Sequence, residues 1–350
     1  MSEHLYPREP TTFDRSFSGL SSTVRAIASE AVLPRDRSFP ASLCTTAGEV
    51  AATIDRGTNT ATGTDADADT ALTFDEHEGR ADEILSSVAE AVALLEGYVR
   101  LRHDLLYSDR YADRERRDAA VLASDHLHAA AYATITDAPL PDRRSLELYR
   151  QLAAGSSALA AGFAAWTPTA LAGGDETADA EAAARAQPSD GNFAQPRAVL
   201  TETAATLGAT AVGAADDTRA AMDAYARSLS TALCRVTASA SSPESGSADA
   251  STAGRAGDDP RETAARVLSG RSDASSSSDG ASVTTPGIAR HLERARDALA
   301  PLVDRSETAA ADGTAGDDDG AENETGPTTP GPAPLTRLER ATRIPFEDER

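Results

Sequence analysis

The stretch Asp82-Glu-Ile-Leu-Ser-Ser-Val-Ala-Glu-Ala-Val-Ala-Leu-Leu-Glu-Gly-Tyr-Val-Arg-Leu-Arg-His-Asp-Leu-Leu106 places Leu85, Val88, Val92, Leu95 and Val99 three and four residues apart. That spacing lines one face of an α-helix. Further helical segments are predicted over 117–134, 145–166, 197–211 and 217–236, and Pro139, Pro141 and Pro168 fall between them as breakers. Residues 21–33 and 47–54 also read as helices, 288–302 is amphipathic, and 335–344 forms a terminal helical segment. No convincing run of alternating β-branched residues appears anywhere. The expectation is an all-α chain.

Between these segments the composition changes. The tract 58–69, made of Thr, Ala, Gly, Asn and Asp, reads as an acidic loop. The stretches 173–192, 238–259 and 269–285 are rich in Ser, Ala, Asp and Gly, a mixture with too little apolar surface to offset the entropy of ordering. They read as disordered acidic insertions, and 306–334 reads as a linker. The organisation expected is N-terminal helices and a loop in 1–79, then a helical domain in 80–302 interrupted near 173–192 and 238–285. A linker over 303–334 and a helical tail over 335–350 complete it.

Acidic residues number 56 against 33 basic ones, all of them arginine, for a net charge of −23. Self-repulsion on that scale becomes tolerable in strong salt, where the screening length falls to roughly 3 Å. The composition resembles that of haloarchaeal proteins, so the acidity reads as adaptation to solvent. It also argues against nucleic acid as a partner, because phosphate backbones draw affinity from basic patches. Cys44 and Cys234 form neither a zinc motif nor a disulfide framework. No apolar run approaches the roughly 20 residues that span a bilayer, and Glu3, Arg8 and Glu9 around Pro7 leave no signal-peptide core. A soluble, cytoplasmic protein is expected.

The end of the quoted helix continues His103-Asp-Leu-Leu-Tyr-Ser-Asp109, with Arg116-Arg117 shortly after. It resembles the first aspartate-rich region of the trans-polyprenyl diphosphate synthases, in which a helix ends in His-Asp-Asp and an Arg-Arg-Gly follows. Ala120-Val-Leu-Ala-Ser-Asp125 is similar to the family's next helix, Leu200 to Ala209 to its Leu-Gly-Ala helix, and Tyr225-Ala-Arg-Ser-Leu229 to its Tyr-Gly-x-x-Leu helix. The likeness covers about 80–236, in the family's order. It implies a bundle of antiparallel helices around a central cavity, with a prenyl diphosphate as ligand. It also implies magnesium held by Asp104 and Asp109, and a diphosphate contact from Arg116 and Arg117. A homodimer, or pairing with an active synthase subunit, is implied as well.

The departures from the family concern the chemistry. Ionising an allylic diphosphate requires magnesium, held by two opposed carboxylate clusters, to neutralise the leaving group. Here Leu105 replaces the second aspartate, and Asp118 replaces the glycine after the arginine pair. Asp104 and Asp109 would diverge by about 140° on a continuous helix, so a shared ion requires the helix to end between them. Where the family's second cluster falls, Ala232 to Ala238 carry no carboxylate before Glu244. Pro196-Arg197 stands near the family's lysine-threonine, and Phe163 replaces a glutamine.

Other constellations add little. His126 and His128 point about 200° apart on a helix and cannot share an ion. His103 reads as a helix-end residue beside Asp104, and Trp166 as core. No nucleophile elbow, phosphate-cradling loop or dinucleotide fingerprint is present. The functional expectation is a catalytically degenerate polyprenyl diphosphate synthase homologue that binds prenyl diphosphate or regulates a synthase, with no assignable catalytic residue. A diverged magnesium-dependent prenyltransferase and an unrelated helical interaction protein are the alternatives.

Overall fold

The computed structural model describes residues 17–62, 74–166, 196–240, 259–271, 285–313 and 332–346. Among them lie ten α-helices and no strand, as the spacing of apolar residues predicts. These are α1 (Ser22–Ala31), α2 (Phe39–Thr62), α3 (Phe74–Tyr107), α4 (Arg114–Thr136), α5 (Asp142–Trp166), α6 (Pro196–Ala211), α7 (Asp216–Ala240), α8 (Pro260–Leu268), α9 (Pro286–Gly313) and α10 (Pro334–Ala341). Short 3-10 turns follow α3 at Asp109–Tyr111 and α10 at Ile344–Phe346.

Local chemistry sets several boundaries. The Ser21 hydroxyl accepts from the Val24 amide at 3.4 Å and caps α1, and the Asp113 carboxylate accepts from the Arg116 amide at 3.0 Å and caps α4. Asp259 does the same for α8 by accepting from the Arg261 amide at 2.9 Å, with Pro260 in the first helical position, where its missing N–H costs nothing. α8 corrects the reading of 238–285 as insertion: a helix with Ala264, Ala265, Val267 and Leu268 buried stands inside it. Two further readings are corrected. Residues 58–62 of the expected loop belong to α2, and 303–313 of the expected linker continue α9. The insertion at 173–192, the rest of the loop, Glu244 and the side chain of Trp166 lie outside the described residues.

Two apolar clusters make up the core. One gathers α1, α3, α4 and α5 around Leu85, Val92, Leu95, Leu127, Leu148 and Leu159. The other gathers α2, α7, α8, α9 and α10 around Leu43, Ile54, Tyr225, Leu229, Leu292 and Leu338. α6 lies between them: Leu200, Ala204 and Leu207 face the first, and Ala205 and Ala209 the second. Twelve of its 16 residues are buried, which confines its polar surface to Arg197 and a narrow strip at Glu202, Thr203 and Thr206.

α6 and α2 cross at a contact between backbones. A methyl group on Gly208 would collide with the Cys44 carbonyl oxygen, and one on Gly48 would lie 2.9 Å from the Gly208 carbonyl oxygen and inside the Leu85 side chain. The second cluster closes behind α8. There the Tyr225 hydroxyl donates to the Leu338 carbonyl at 2.8 Å, and Arg337 donates to the Leu268 carbonyl at 2.9 Å while pairing with Glu49. Overpacking a close crossing costs up to about 3 kcal/mol when backbone must move. Gly208→Ala is therefore expected to lower stability by about 3 kcal/mol in thermal or urea unfolding. Gly79→Ala on α3, where an added methyl meets nothing within 4 Å, should change stability by less than about 1 kcal/mol, in the stabilising direction.

Candidate functional site: an arginine-lined cavity

The chain does turn between Asp104 and Asp109, since α3 ends at Tyr107. What the turn brings to Asp104, however, is Arg110. The Arg110 guanidinium donates to Asp104 Oδ2 at 3.1 Å and to Glu30 Oε1 of α1 at 2.6 Å, while His103 Nδ1 lies 3.7 Å from Oδ1. Asp109 is exposed, with its backbone carbonyl accepting from the Ala112 amide at 3.1 Å. A carboxylate engaged by a guanidinium is a poor magnesium ligand, and no group of three or more His, Cys, Asp or Glu side chains is arranged to hold a metal among the described residues. The residues present do not fit the magnesium site that the resemblance implies. Arg116 and Arg117 stand exposed in the first turn of α4.

The histidines diverge as their spacing requires. His126 packs on Phe17 with ring centroids 5.5 Å apart, whereas His128 packs on Tyr98 at 4.8 Å and meets the Ser156 hydroxyl at 3.1 Å. Burial holds the His128 pKa below its ordinary value, against the pull of Asp125. On α7, Ala232 and Leu233 are core residues and Cys234 faces α8. Cys44 is fully buried, and the loss of hydration pushes its thiol up to about 12.

Side chains distant in sequence converge at a cavity of about 260 Å³. Leu33 and Arg37 reach it from the α1–α2 connection, Phe39 and Pro40 from the start of α2, and Glu96, Val99 and Arg100 from α3. Arg197 and Leu200 come from the first turns of α6, and Asp259, Arg261 and Glu262 from the start of α8. Three helices thus present their N-terminal turns to one space. The partial positive charge of helix N-termini and their free N–H groups favour an anion there. None of Asp104, Asp109, Arg116 and Arg117 lines this cavity.

Two of the three carboxylates are committed at the rim. Glu262 takes a forked contact from Arg37 at 2.9 and 3.4 Å, and Asp259 caps α8. Glu96 faces Arg100, Arg197 and Arg261, with the Ser38 hydroxyl donating to its Oε2 at 2.5 Å. Withdrawal from water pushes the Glu96 carboxyl above the ordinary range, against the Ser38 hydrogen bond and the three arginines, which pull it down. Burial also lowers the Arg197 pKa, with Arg261 adding to the effect, although part of the residue stays exposed. Arg197 donates no hydrogen bond to another described residue. Arg261 donates to Cys234 Sγ at 2.7 Å, and its Nε is buried without a hydrogen-bond partner among the described residues. The orphaned Arg261 Nε beside the uncommitted Arg197 guanidinium suits a bound oxyanion, which guanidinium groups contact two N–H at a time.

Sequence reasoning reached Arg197 only as a replacement for a family lysine and missed the rest. Two signals were present: the Glu96–Arg100 pair one helical turn apart, and Asp259-Pro260 as a cap followed by a first-turn proline.

No protein-family model matches the chain, and no curated protein matches it. Among solved structures it is similar to the geranylgeranyl pyrophosphate synthetase of Pyrococcus horikoshii Ot3, at 14% identity and a TM-score of 0.48, over 96% of this chain and 95% of that one. The site is interpreted from its own geometry.

Because Glu96 binds its proton more tightly folded than unfolded, the stability it contributes is fully present below its unfolded pKa of about 4.3 and is lost as pH rises through the folded value. Glu96→Gln is expected to melt at a higher temperature than the parent at neutral pH. The difference should close below about pH 4, as read from paired melts across pH.

Proposed function

We propose that the protein binds a small organic diphosphate in this cavity, as a binding or regulatory component, and does not elongate prenyl chains alone. The observation that supports the reading is Arg261, whose Nε is buried without a hydrogen-bond partner among the described residues, beside the Arg197 guanidinium and among three helix N-termini. Leu33, Phe39, Pro40, Val99 and Leu200 give the same cavity an apolar wall. One end then suits a diphosphate and the rest a hydrocarbon chain. The sequence resemblance points to the prenyl diphosphates within that class. Ionising such a ligand needs a metal clamp on the leaving group, and Asp104 is held by Arg110.

Calorimetric titration with a short prenyl diphosphate, with and without magnesium, tests this. Binding is expected without magnesium, and no diphosphate should be released on incubation with isopentenyl diphosphate. Arg197→Gln and Arg261→Gln should each weaken binding by about tenfold or more, the worth of a charge-assisted hydrogen bond. Binding untouched by either substitution would sink the assignment. Chain elongation that disappears in Asp104→Ala would instead establish the diverged prenyltransferase with its metal at Asp104 and Asp109.

A subunit role has separate support. Leu122 on α4 and Leu146 and Tyr149 on α5 are exposed by 60%, 51% and 43%, on neighbouring helices. Self-association or pairing with a synthase subunit through α4 and α5 is the second reading. Light scattering is expected to show an assembly that Leu122→Glu with Leu146→Glu reduces to the monomer; an unchanged mass sets this face aside.

A further inference from the structure

Binding by arginine alone leaves one feature of the cavity without a purpose. An ionised Glu96 in its wall cancels a guanidinium and repels the incoming ligand. We infer that the cavity takes up one proton on Glu96 with each anion it binds, so that its affinity for phosphate-class anions is controlled by pH. The inference rests on the reading of the cavity as an anion site and adds a regulation to it.

Hydrogen bonding selects the atom. The Ser38 hydroxyl oxygen accepts from the Ala41 amide at 3.2 Å, which turns its own hydrogen toward Glu96 Oε2, 2.5 Å away. Oε2 is thereby committed as an acceptor, and Oε1 is left to take the proton. The charged groups around the carboxyl come from every side. Arg100 lies one turn further along α3, Arg197 approaches from α6, and Arg261 approaches from α8 with Cys234 of α7 against it. At the rim Arg37 and Glu262 neutralise one another, and Asp259 accepts from the Arg261 amide. α1 contributes only the Ala31 carbonyl, which accepts from Arg100 at 3.3 Å. Among the described residues no histidine lines the cavity.

In the free protein the three arginines favour the ionised form of Glu96 and offset part of the cost of its burial. A divalent anion among the same guanidinium groups takes over that role, and its charge drives the carboxylate to accept a proton from buffer. The neutral carboxyl then donates its O–H to the anion, turning a repulsion into a hydrogen bond. Withdrawal of Glu96 from water favours the exchange, because burial already penalises its charged form.

Inorganic sulfate is the probe, since it keeps its double charge across the range tested, and inorganic pyrophosphate is run beside it. Calorimetry on the full chain, at constant chloride and between about pH 5 and about pH 8, is done in two buffers of different ionisation heat. Sulfate affinity is expected to rise by up to about tenfold for each pH unit lowered, with an uptake approaching one proton per sulfate. Glu96→Gln is expected to bind sulfate with no pH dependence, and at least as tightly as the parent at neutral pH. Ser38→Ala removes a hydrogen bond that favours the carboxylate, so it should move the same dependence to higher pH. A parent affinity that does not change with pH overturns the inference, as does a slope that survives in Glu96→Gln or stays unmoved in Ser38→Ala. No binding of sulfate or pyrophosphate by the parent at any pH overturns the anion-site reading itself.

Discussion

Where the backbones of α2 and α6 meet at Gly48 and Gly208, no side chain separates them, and this close approach determines much of what surrounds it. The crossing lies about 13 Å along α2 from Phe39 and about 16 Å along α6 from Arg197, at 1.5 Å per residue. Both helices therefore leave the cavity side by side, carrying their positive ends to the same place. Leu85 of α3 packs over the contact and sets the depth at which Glu96 and Arg100 enter, about three and four turns further on. Were α2 and α6 held apart by ordinary side chains, these charged groups would not share one small space.

Parallel helix ends repel one another, and four arginines beside them add to the repulsion. Three carboxylates answer this charge, but only Glu96 does so from the interior. The cavity is thus a locally cationic spot in a chain whose net charge is −23. Surface acidity is screened by salt over a few ångströms, whereas groups withdrawn from water are screened much less. The contrast between interior and exterior should persist at ionic strengths that silence the surface.

The helices were legible in the sequence because their apolar residues recur every three to four positions, as Leu85, Val88, Val92, Leu95 and Val99 do. α8 was not, because nine residues without a long apolar stripe sit between stretches of Ser, Asp and Gly, and composition outweighed its cap. At Asp104 the sequence could say that a shared ion requires the helix to end, but not which side chain the turn would present. A helix ending at Tyr107 delivers the next residue but two, Arg110, to the carboxylate, and a pattern match cannot see which side chain a turn presents. The cavity escaped entirely, because Arg37, Glu96, Arg197 and Arg261 come from four elements and form no pattern along the chain.

The clamp on α8 has a consequence for biosynthesis. Nine residues are too few to hold a helix unaided, and α8 is backed by α10 through Arg337 and the Leu268 carbonyl. Arg261 and Glu262, which form one wall of the cavity, are thus translated well before the segment that keeps them in place. On the ribosome the α2–α6 crossing can form early, whereas the cavity acquires its last wall only once Ala341 has left the exit tunnel. The cavity would then mature only after the α2–α6 crossing that positions its other walls.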